Sequence, residues 1–275
     1  MKYSFLTSVY RRYSMEKAFE DGARFGYQGI ELWGGRPHAY PFDMDDKRIE
    51  RVHRMARNTG LEISVYTPEV CVYPYNLCSQ EEKERRETIE YFKLSLDIAK
   101  EIGAPLIQIT PGDPGYGSDY QKDWARLVEG CREIAEHAES VGVGIVMEAL
   151  TPYESLILTT TNDLLRLLGE VPSEYFRSML DCVSPLVVHE PMSDYFIKLK
   201  NKMGHLHLAD GDGISYSHLL VGDGEFNFDG LFRLVNRYGY KGYGSIELDD
   251  RYCNDPETYI EQSITRLKRI QSRVE

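Results

Sequence analysis

The chain has 275 residues, of which 42% are hydrophobic and 28% charged, and its formal net charge is -12. This composition is typical of a soluble globular protein, and no apolar run reaches the ~20 residues that a membrane helix needs. The excess of acidic residues argues against a nucleic-acid partner, because phosphate binding depends on clustered Lys and Arg.

The amino terminus and the cysteines predict a cytoplasmic protein. Residues 1–14 lack the long apolar segment and the small-residue cleavage site of a signal peptide. The five cysteines are widely spaced and form no CxxC pair. This usage argues against a disulfide framework and a zinc–thiolate site, and it suits a reducing compartment.

Apolar periodicity, caps and breakers predict strands and helices in alternation along the first half of the chain. Ser14 is the expected N-cap of the first helix, and Gly26 is its expected end. The segment 69–78 is predicted to be a loop. The predicted strands are 2–8, 29–34, 62–68 and 106–112, and the predicted helices are 15–26, 46–60, about 80–103 and 123–142.

The second half continues the alternation. Its predicted strands are 144–150, 176–181, 205–211 and 242–250, and its predicted helices are 162–171, 193–204, 228–239 and 256–274. Eight βα units imply parallel strands with right-handed crossovers and, at this length, a single (β/α)8 TIM barrel over residues 1–275. A doubly wound sheet is the alternative, but no GxGxxG follows any strand. Ile-Glu-Leu recurs at 30–32 and 246–248, which mildly supports repeated units.

Polar residues mark the ends of the last four predicted strands, where TIM barrels carry their chemistry. They are Glu148, Asp181, His207 and Glu247. A buried unpaired carboxylate is costly, and no Lys or Arg at these strand ends neutralises the three acids. The mixed oxygen and nitrogen set therefore predicts one divalent cation, Mn²⁺, Co²⁺, Fe²⁺ or Mg²⁺. A hydrogen-bonded network without metal is the alternative.

Two histidines alternate with leucines in the segment HLHL. The period of two puts His205 and His207 on the same face of a strand. We expect His207 to be the metal ligand, because it completes the set of three carboxylates. His205, one pleat lower, is expected to support a ligand or to belong to the core.

Five segments resemble the xylose-isomerase-like TIM barrels of the sugar 3-epimerases: IELWGGRPHAY (30–40), YTPE (66–69), YPYN (73–76), LTPYES (150–155) and HLH (205–207). The resemblance implies that the four residues above bind one divalent metal, usually Mn²⁺ or Co²⁺ and with Zn²⁺ possible. It also implies that Glu148 and Glu247 transfer protons. A metal-bound ketose has an acidified C3 proton, and epimerisation through a cis-enediolate needs one base on each face of C3.

Two positions depart from the relatives that act on free ketoses. Those proteins have a His three residues after the Asp ligand and an Arg six residues after the His ligand, whereas this chain has Ser184 and Gly213. We expect the C1 end of the substrate to be held differently. A ketosamine such as a fructosamine would fit, with Gly213 leaving room for its C1 substituent.

Several further residues are candidate substrate contacts. The resemblance places Glu154 on the substrate hydroxyls. Trp33 is expected to stack on the sugar or to plug the barrel mouth, and Glu69 to bind a cationic amine or Arg36. The remaining candidates lie near or just past the carboxyl ends of predicted strands two, three and seven, and they are His38, Tyr66, Asp210 and His218.

Other functions share this scaffold. A metal-dependent lyase that cleaves C-glycosides of oxidised sugars would start with the same proton abstraction and would work with a small partner subunit. An aldose–ketose isomerase and a non-catalytic binding barrel are further alternatives. A barrel of the endonuclease IV type needs many His ligands and a basic groove, whereas this chain has seven His and a net charge of -12. The resemblance also implies a small sugar as substrate and other copies of the chain as partners in a dimer or tetramer.

Overall fold

The computed structural model describes residues 1–71 and 75–274 and contains eight strands, each followed by at least one helical segment. The strands are β1 (Lys2–Phe5), β2 (Gly29–Gly34), β3 (Glu62–Pro68), β4 (Leu106–Ile109), β5 (Gly144–Met147), β6 (Phe176–Asp181), β7 (Met203–Leu208) and β8 (Tyr243–Ile246). The α-helices are α1 (Met15–Phe25), α2 (Asp46–Thr59), α3 (Glu82–Ile102), α4 (Tyr120–Val141), α5 (Thr161–Glu170), α6 (Val183–Val187), α7 (Phe228–Tyr238) and α8 (Pro256–Gln271).

All eight strands run parallel in one sheet, in the order β1-β8-β7-β6-β5-β4-β3-β2. A single parallel bridge between Leu6 and Glu31 brings β1 next to β2, so the sheet closes on itself. The fold is a TIM barrel, which confirms the prediction from the alternation of elements. The carboxyl ends of all strands therefore meet at one face.

Local signals in the sequence explain most helix boundaries. The Ser14 side chain accepts a hydrogen bond from the Lys17 amide, and Gly26 ends α1 with a left-handed φ of 78°. Thr160 and Asp163 form a reciprocal capping box at the start of α5. Both ends of α1 agree with the prediction to within one residue.

The predicted regular helix 193–204 is wrong. This stretch contains one π-helical turn, Tyr195–Leu199, followed by a 3-10 turn over Lys200–Lys202. Lys200 has a φ of 49°, a conformation that a regular helix cannot include. β7 then begins at Met203, inside the predicted helix, because pairing with β6 overrides the local apolar period.

Strands β5 and β8 are shorter than predicted. They end at Met147 and Ile246, so Glu148 and Glu247 each stand one residue past a strand. Among the described residues, no helix is both long and apolar enough to cross a membrane. Part of the predicted loop 69–78, including two residues of YPYN, lies outside the described residues.

Candidate metal and catalytic site

The four predicted metal ligands lie together at the carboxyl ends of β5 to β8. One donor atom from each of Glu148, Asp181, His207 and Glu247 lies within 4.8 Å of the others. The Nδ1 atom of His207 is 2.7 Å from Glu247 Oε2, 3.6 Å from Glu148 Oε1 and 4.0 Å from Asp181 Oδ2. Neighbouring parallel strands explain the convergence, since their ends share one edge of the barrel.

Two buried atoms at the centre of this cluster fit a bound cation. His207 Nδ1 and Glu247 Oε2 are both buried and lie 2.7 Å apart, but within the described part of the chain neither has a partner in hydrogen-bond geometry. Such atoms are normally satisfied by a protein group, water or a metal. Three carboxylates and one imidazole nitrogen suit a divalent ion such as Mn²⁺, Fe²⁺, Co²⁺ or Zn²⁺.

A buried glutamate that the sequence analysis did not select supports the histidines from inside the barrel. Glu31 on β2 is 0% exposed. Its Oε2 lies 2.8 Å from His205 Nε2 and its Oε1 lies 2.9 Å from His207 Nε2. Thr67 donates a further hydrogen bond to Oε1 at 2.5 Å. The Ile-Glu-Leu repeat was the available signal, because it places Glu31 in the same local sequence as Glu247.

The pKa values of the two glutamates that face the cluster are shifted in opposite directions. Burial raises the pKa of Glu148 to about 7. Burial also raises the pKa of Glu247, but His207 and His218 lower it more, and the result is below its ordinary value. His207 has a raised pKa because the charges of Glu247 and Glu31 outweigh its burial. One carboxyl is thus ionised at neutral pH while the other is poised to hold a proton.

These shifts predict a pH-dependent metal affinity. The cation needs ionised Glu148 and neutral His207, and both pKa values are raised in the metal-free site, so binding must release protons. We expect Mn²⁺ affinity to rise at least about tenfold per pH unit between pH 5 and 7. Calorimetry at pH 6 in buffers of different ionisation enthalpy counts the protons. The Glu148→Gln variant should release one proton fewer, and a pH-independent affinity would contradict the assignment.

His218 lies closer to the cluster than its loop position suggests. Its Nε2 is 2.9 Å from Asp181 Oδ2 and 3.3 Å from Glu247 Oε2. Its Nδ1 donates to the Tyr216 carbonyl oxygen at 3.0 Å, which holds the ring with Nε2 facing the two carboxylates. The structure therefore brings this candidate substrate contact to the site.

The cluster opens into a cleft of about 580 Å³, a size typical of small-molecule sites. Trp33, Glu69 and Glu154 line it, as does Gln108, which the sequence analysis missed. Trp33 Nε1 donates to Glu69 Oε2 at 2.7 Å, and Gln108 donates to Glu148 Oε2 at 2.5 Å. Glu154 accepts hydrogen bonds from the Thr151 amide and hydroxyl. Arg36, the alternative partner for Glu69, pairs with Asp43.

Three predicted substrate contacts serve the scaffold instead. The Tyr66 hydroxyl is buried and donates to the Ala39 carbonyl oxygen at 2.6 Å. His38 is buried with Nε2 3.1 Å from the Tyr13 carbonyl oxygen. Asp210 accepts from the backbone amides of Gly211, Gly222 and Phe226. His38 and Asp210 follow β2 and β7, whereas Tyr66 lies within β3. All three side chains bond to nearby backbone groups, which corrects the predicted roles.

The position of Asp210 predicts a stability effect without a catalytic one. Asp210→Ala leaves three amides without their acceptor, and we expect it to lower the free energy of unfolding by about 2–3 kcal/mol. Asp212 is a matched control, because it also accepts from backbone amides but is exposed. Asp212→Ala should cost less than about 1 kcal/mol. Urea denaturation measures both, and an equal loss in the two variants would contradict this role.

The expected role of Gly213 is also corrected. Gly213 has a φ of 71° in the loop after β7 and does not line the cleft. The positive φ explains the glycine there without reference to a substrate. Ser184 does line the cleft, and its hydroxyl donates to the Ala149 carbonyl oxygen at 2.7 Å. Any room for a C1 substituent therefore lies in the cleft itself.

Comparisons with known proteins agree with this architecture. The family description "Xylose isomerase-like TIM barrel" matches residues 19–270. A fructoselysine 3-epimerase from Shigella flexneri is 39% identical over 270 residues, which are 98% of this chain and 98% of that protein.

Solved structures of two more distant proteins share the fold. The 3-keto-D-glucoside 4-epimerase YcjR from E. coli has a TM-score of 0.84 and 18% identity, covering 98% of this chain and 99% of the other. The IOLI protein with a bound zinc atom has a TM-score of 0.83 and 16% identity, covering 100% of this chain and 99% of the other. At these identities the likeness is one of fold.

Proposed function

This chain belongs to the xylose isomerase-like TIM barrel family, and on that basis we propose that it is a carbohydrate 3-epimerase, an isomerase that inverts C3 of a ketose. The observation that carries the proposal is the pair of glutamates, Glu148 and Glu247, which follow β5 and β8 and share one cluster of donor atoms. The relative with 39% identity over the full chain is a fructoselysine 3-epimerase, and we propose a ketosamine of that kind as the substrate.

We propose one divalent metal, most simply Mn²⁺, as the cofactor. Glu148, Asp181, His207 and Glu247 would hold it, and the donor set and the close approach of His207 Nδ1 to Glu247 Oε2 without hydrogen-bond geometry support this assignment. A bound cation supplies Lewis-acid polarisation of the ketone, which acidifies the C3 proton. A protein of the same fold holds a zinc atom, and metal analysis of the purified protein identifies the ion here.

The two glutamates supply the base and the acid that inversion at C3 requires. Glu247 has a lowered pKa and is ionised at neutral pH, so it can accept a proton. Glu148, the second glutamate of the cluster, would deliver the proton to the other face of C3. In the reverse reaction the two residues exchange roles. Gln108 donates to Glu148 and holds its carboxyl in place.

The charges of the cleft favour a neutral or cationic substrate over a phosphorylated one. Its two arginines, Arg11 and Arg251, each pair with a carboxylate, Asp250 and Asp249 respectively. Among the described lining residues there is no lysine, whereas Glu69 and Glu154 add negative charge. A phosphate group would need unpaired cations, which this cleft does not offer. The secondary amine of a ketosamine suits it better.

Product analysis tests the proposed reaction. The protein is incubated with Mn²⁺ and fructoselysine, free fructose or ribulose 5-phosphate, and the products are identified by ¹³C NMR. We expect a C3 epimer, formed from fructoselysine at least about tenfold faster than from the other two sugars. Release of a fragment would indicate the lyase, and formation of an aldose the isomerase. Either result would overturn the proposal.

We also propose that the chain works as one catalytic domain in the cytoplasm. The five cysteines are free, which fits a reducing compartment. We propose further that the chain forms a homo-oligomer, a dimer or a tetramer, as its resemblance to the sugar 3-epimerases implies.

A further inference from the structure

A buried carboxylate links both histidines of β7 to β2 and β3. Glu31 is 0% exposed and spans His205 Nε2 and His207 Nε2 with its two oxygens, at 2.8 and 2.9 Å. Thr67 donates to the oxygen that also faces His207. Within the described residues, the ion pairs of Glu31 are with these two histidines. Each oxygen of the carboxylate thus has at least one hydrogen-bond partner.

The hydrogen bond from His207 determines which nitrogen can bind a metal. A carboxylate only accepts, so Nε2 of His207 must carry the hydrogen that points to Glu31. Nδ1 then presents its lone pair when the imidazole is neutral, and it faces Glu148, Asp181 and Glu247. The hydrogen bond also fixes the plane of the His207 ring, because Glu31 is held by β2 and His207 by β7, and both strands belong to the barrel wall.

We propose that Glu31 is a positioning residue that fixes the tautomer and orientation of His207 as a metal ligand, with Thr67 and His205 holding Glu31 itself. The inference rests on the proposed metal-dependent function. It assigns to the site a residue on β2, which is three strands away from β7 around the barrel and 176 positions from its partner in the sequence. Carboxylate–histidine–metal chains of this kind typically raise metal affinity by ~10–100-fold.

Two variants test the proposal. Glu31→Gln keeps the size of the side chain but offers one acceptor, so it can satisfy only one histidine. Thr67→Val removes only the donor to the oxygen that faces His207. Asp123→Asn is the matched control, because Asp123 is also a buried carboxylate but lies on α4 and pairs with Arg126. The probe is Zn²⁺ alone, which avoids any dependence on sugar turnover.

Zn²⁺ affinity is measured by competition with a chromophoric chelator, and the tautomer of His207 by long-range ¹H–¹⁵N NMR of the Zn²⁺-loaded protein. We expect Glu31→Gln to weaken binding ~10–100-fold and Thr67→Val to weaken it ~2–5-fold, with Asp123→Asn within about twofold of the parent. The parent protein should show hydrogen on Nε2 and the metal on Nδ1. In Glu31→Gln the Nε2–H signal should shift or divide.

The outcomes separate the role of Glu31 from the metal site as a whole. A folded Glu31→Gln variant with the parental affinity and NMR signals would overturn the role of Glu31. If that variant does not fold, Thr67→Val decides, and parental affinity there would overturn the proposal. An absence of Zn²⁺ binding in the parent protein would overturn the proposed metal site and this inference with it. Binding in the parent without epimerisation would overturn the proposed reaction only.

Discussion

Glu247→Gln is expected to lower kcat for C3 epimerisation by about 10³-fold. Glu247 follows β8, faces the cleft and has a pKa below its ordinary value, so it is the group that is ready to accept a proton. Glutamine keeps the size and one ligand oxygen but cannot take a proton. The initial rate with fructoselysine under saturating Mn²⁺ gives kcat directly.

Glu154→Gln is the matched control for this prediction. Glu154 lines the same cleft and has a raised pKa because of burial, but it lies outside the donor cluster. We expect that variant to raise KM and to lower kcat by no more than about tenfold. A Glu247→Gln enzyme that keeps more than a tenth of the parental kcat would show that another group moves the proton.

Removal of the metal is expected to abolish turnover and to destabilise the fold. A cation present at 100 times its Kd stabilises the folded state by about 2.7 kcal/mol, which is lost on chelation. The three clustered carboxylates then have only His207 and His218 among them to offset their mutual repulsion. Urea denaturation with and without Mn²⁺ gives the free energy, and readdition of Mn²⁺ should restore the activity.

Asp181→Asn provides the control for metal removal. The Oδ1 atom of Asp181 accepts from the backbone amides of Val183 and Ser184, and Oδ2 faces His218 and the cluster. The variant should lose most of the stabilisation by Mn²⁺ while it remains folded. Full activity of the parent protein after exhaustive chelation, with its metal content verified as zero, would contradict the metal-dependent account.

Chain patterns were sufficient to predict the barrel and the four side chains that cluster at its rim. Eight apolar segments that alternate with helices permit few topologies. A polar residue at the carboxyl end of a buried strand is expected at the face of the barrel that carries the site. Glu148, Asp181, His207 and Glu247 follow from that rule. The prediction of a helix at 193–204 was wrong, because the pairing of Met203 with β6 outweighs the local apolar periodicity.

Contacts across the barrel and side-chain directions in loops could not be derived from local patterns. The partners of Glu31 lie 174 and 176 positions away, so only the closed sheet reveals them. Tyr66 and Asp210 stand at positions that suit a site, yet nearby backbone groups hold their side chains. Whether a residue in a loop faces the cleft depends on such hydrogen bonds, and sequence spacing does not encode them.

The exchange of the C3 hydrogen with solvent tests the account most directly. Fructoselysine is incubated with the protein and Mn²⁺ in D₂O, and the C3 position is followed by ¹H and ²H NMR. The account predicts that deuterium appears at C3 of the epimeric product, that C1 stays unlabelled and that no fragment is released. An epimer formed with its original C3 hydrogen, or label at C1 instead of C3, would contradict it.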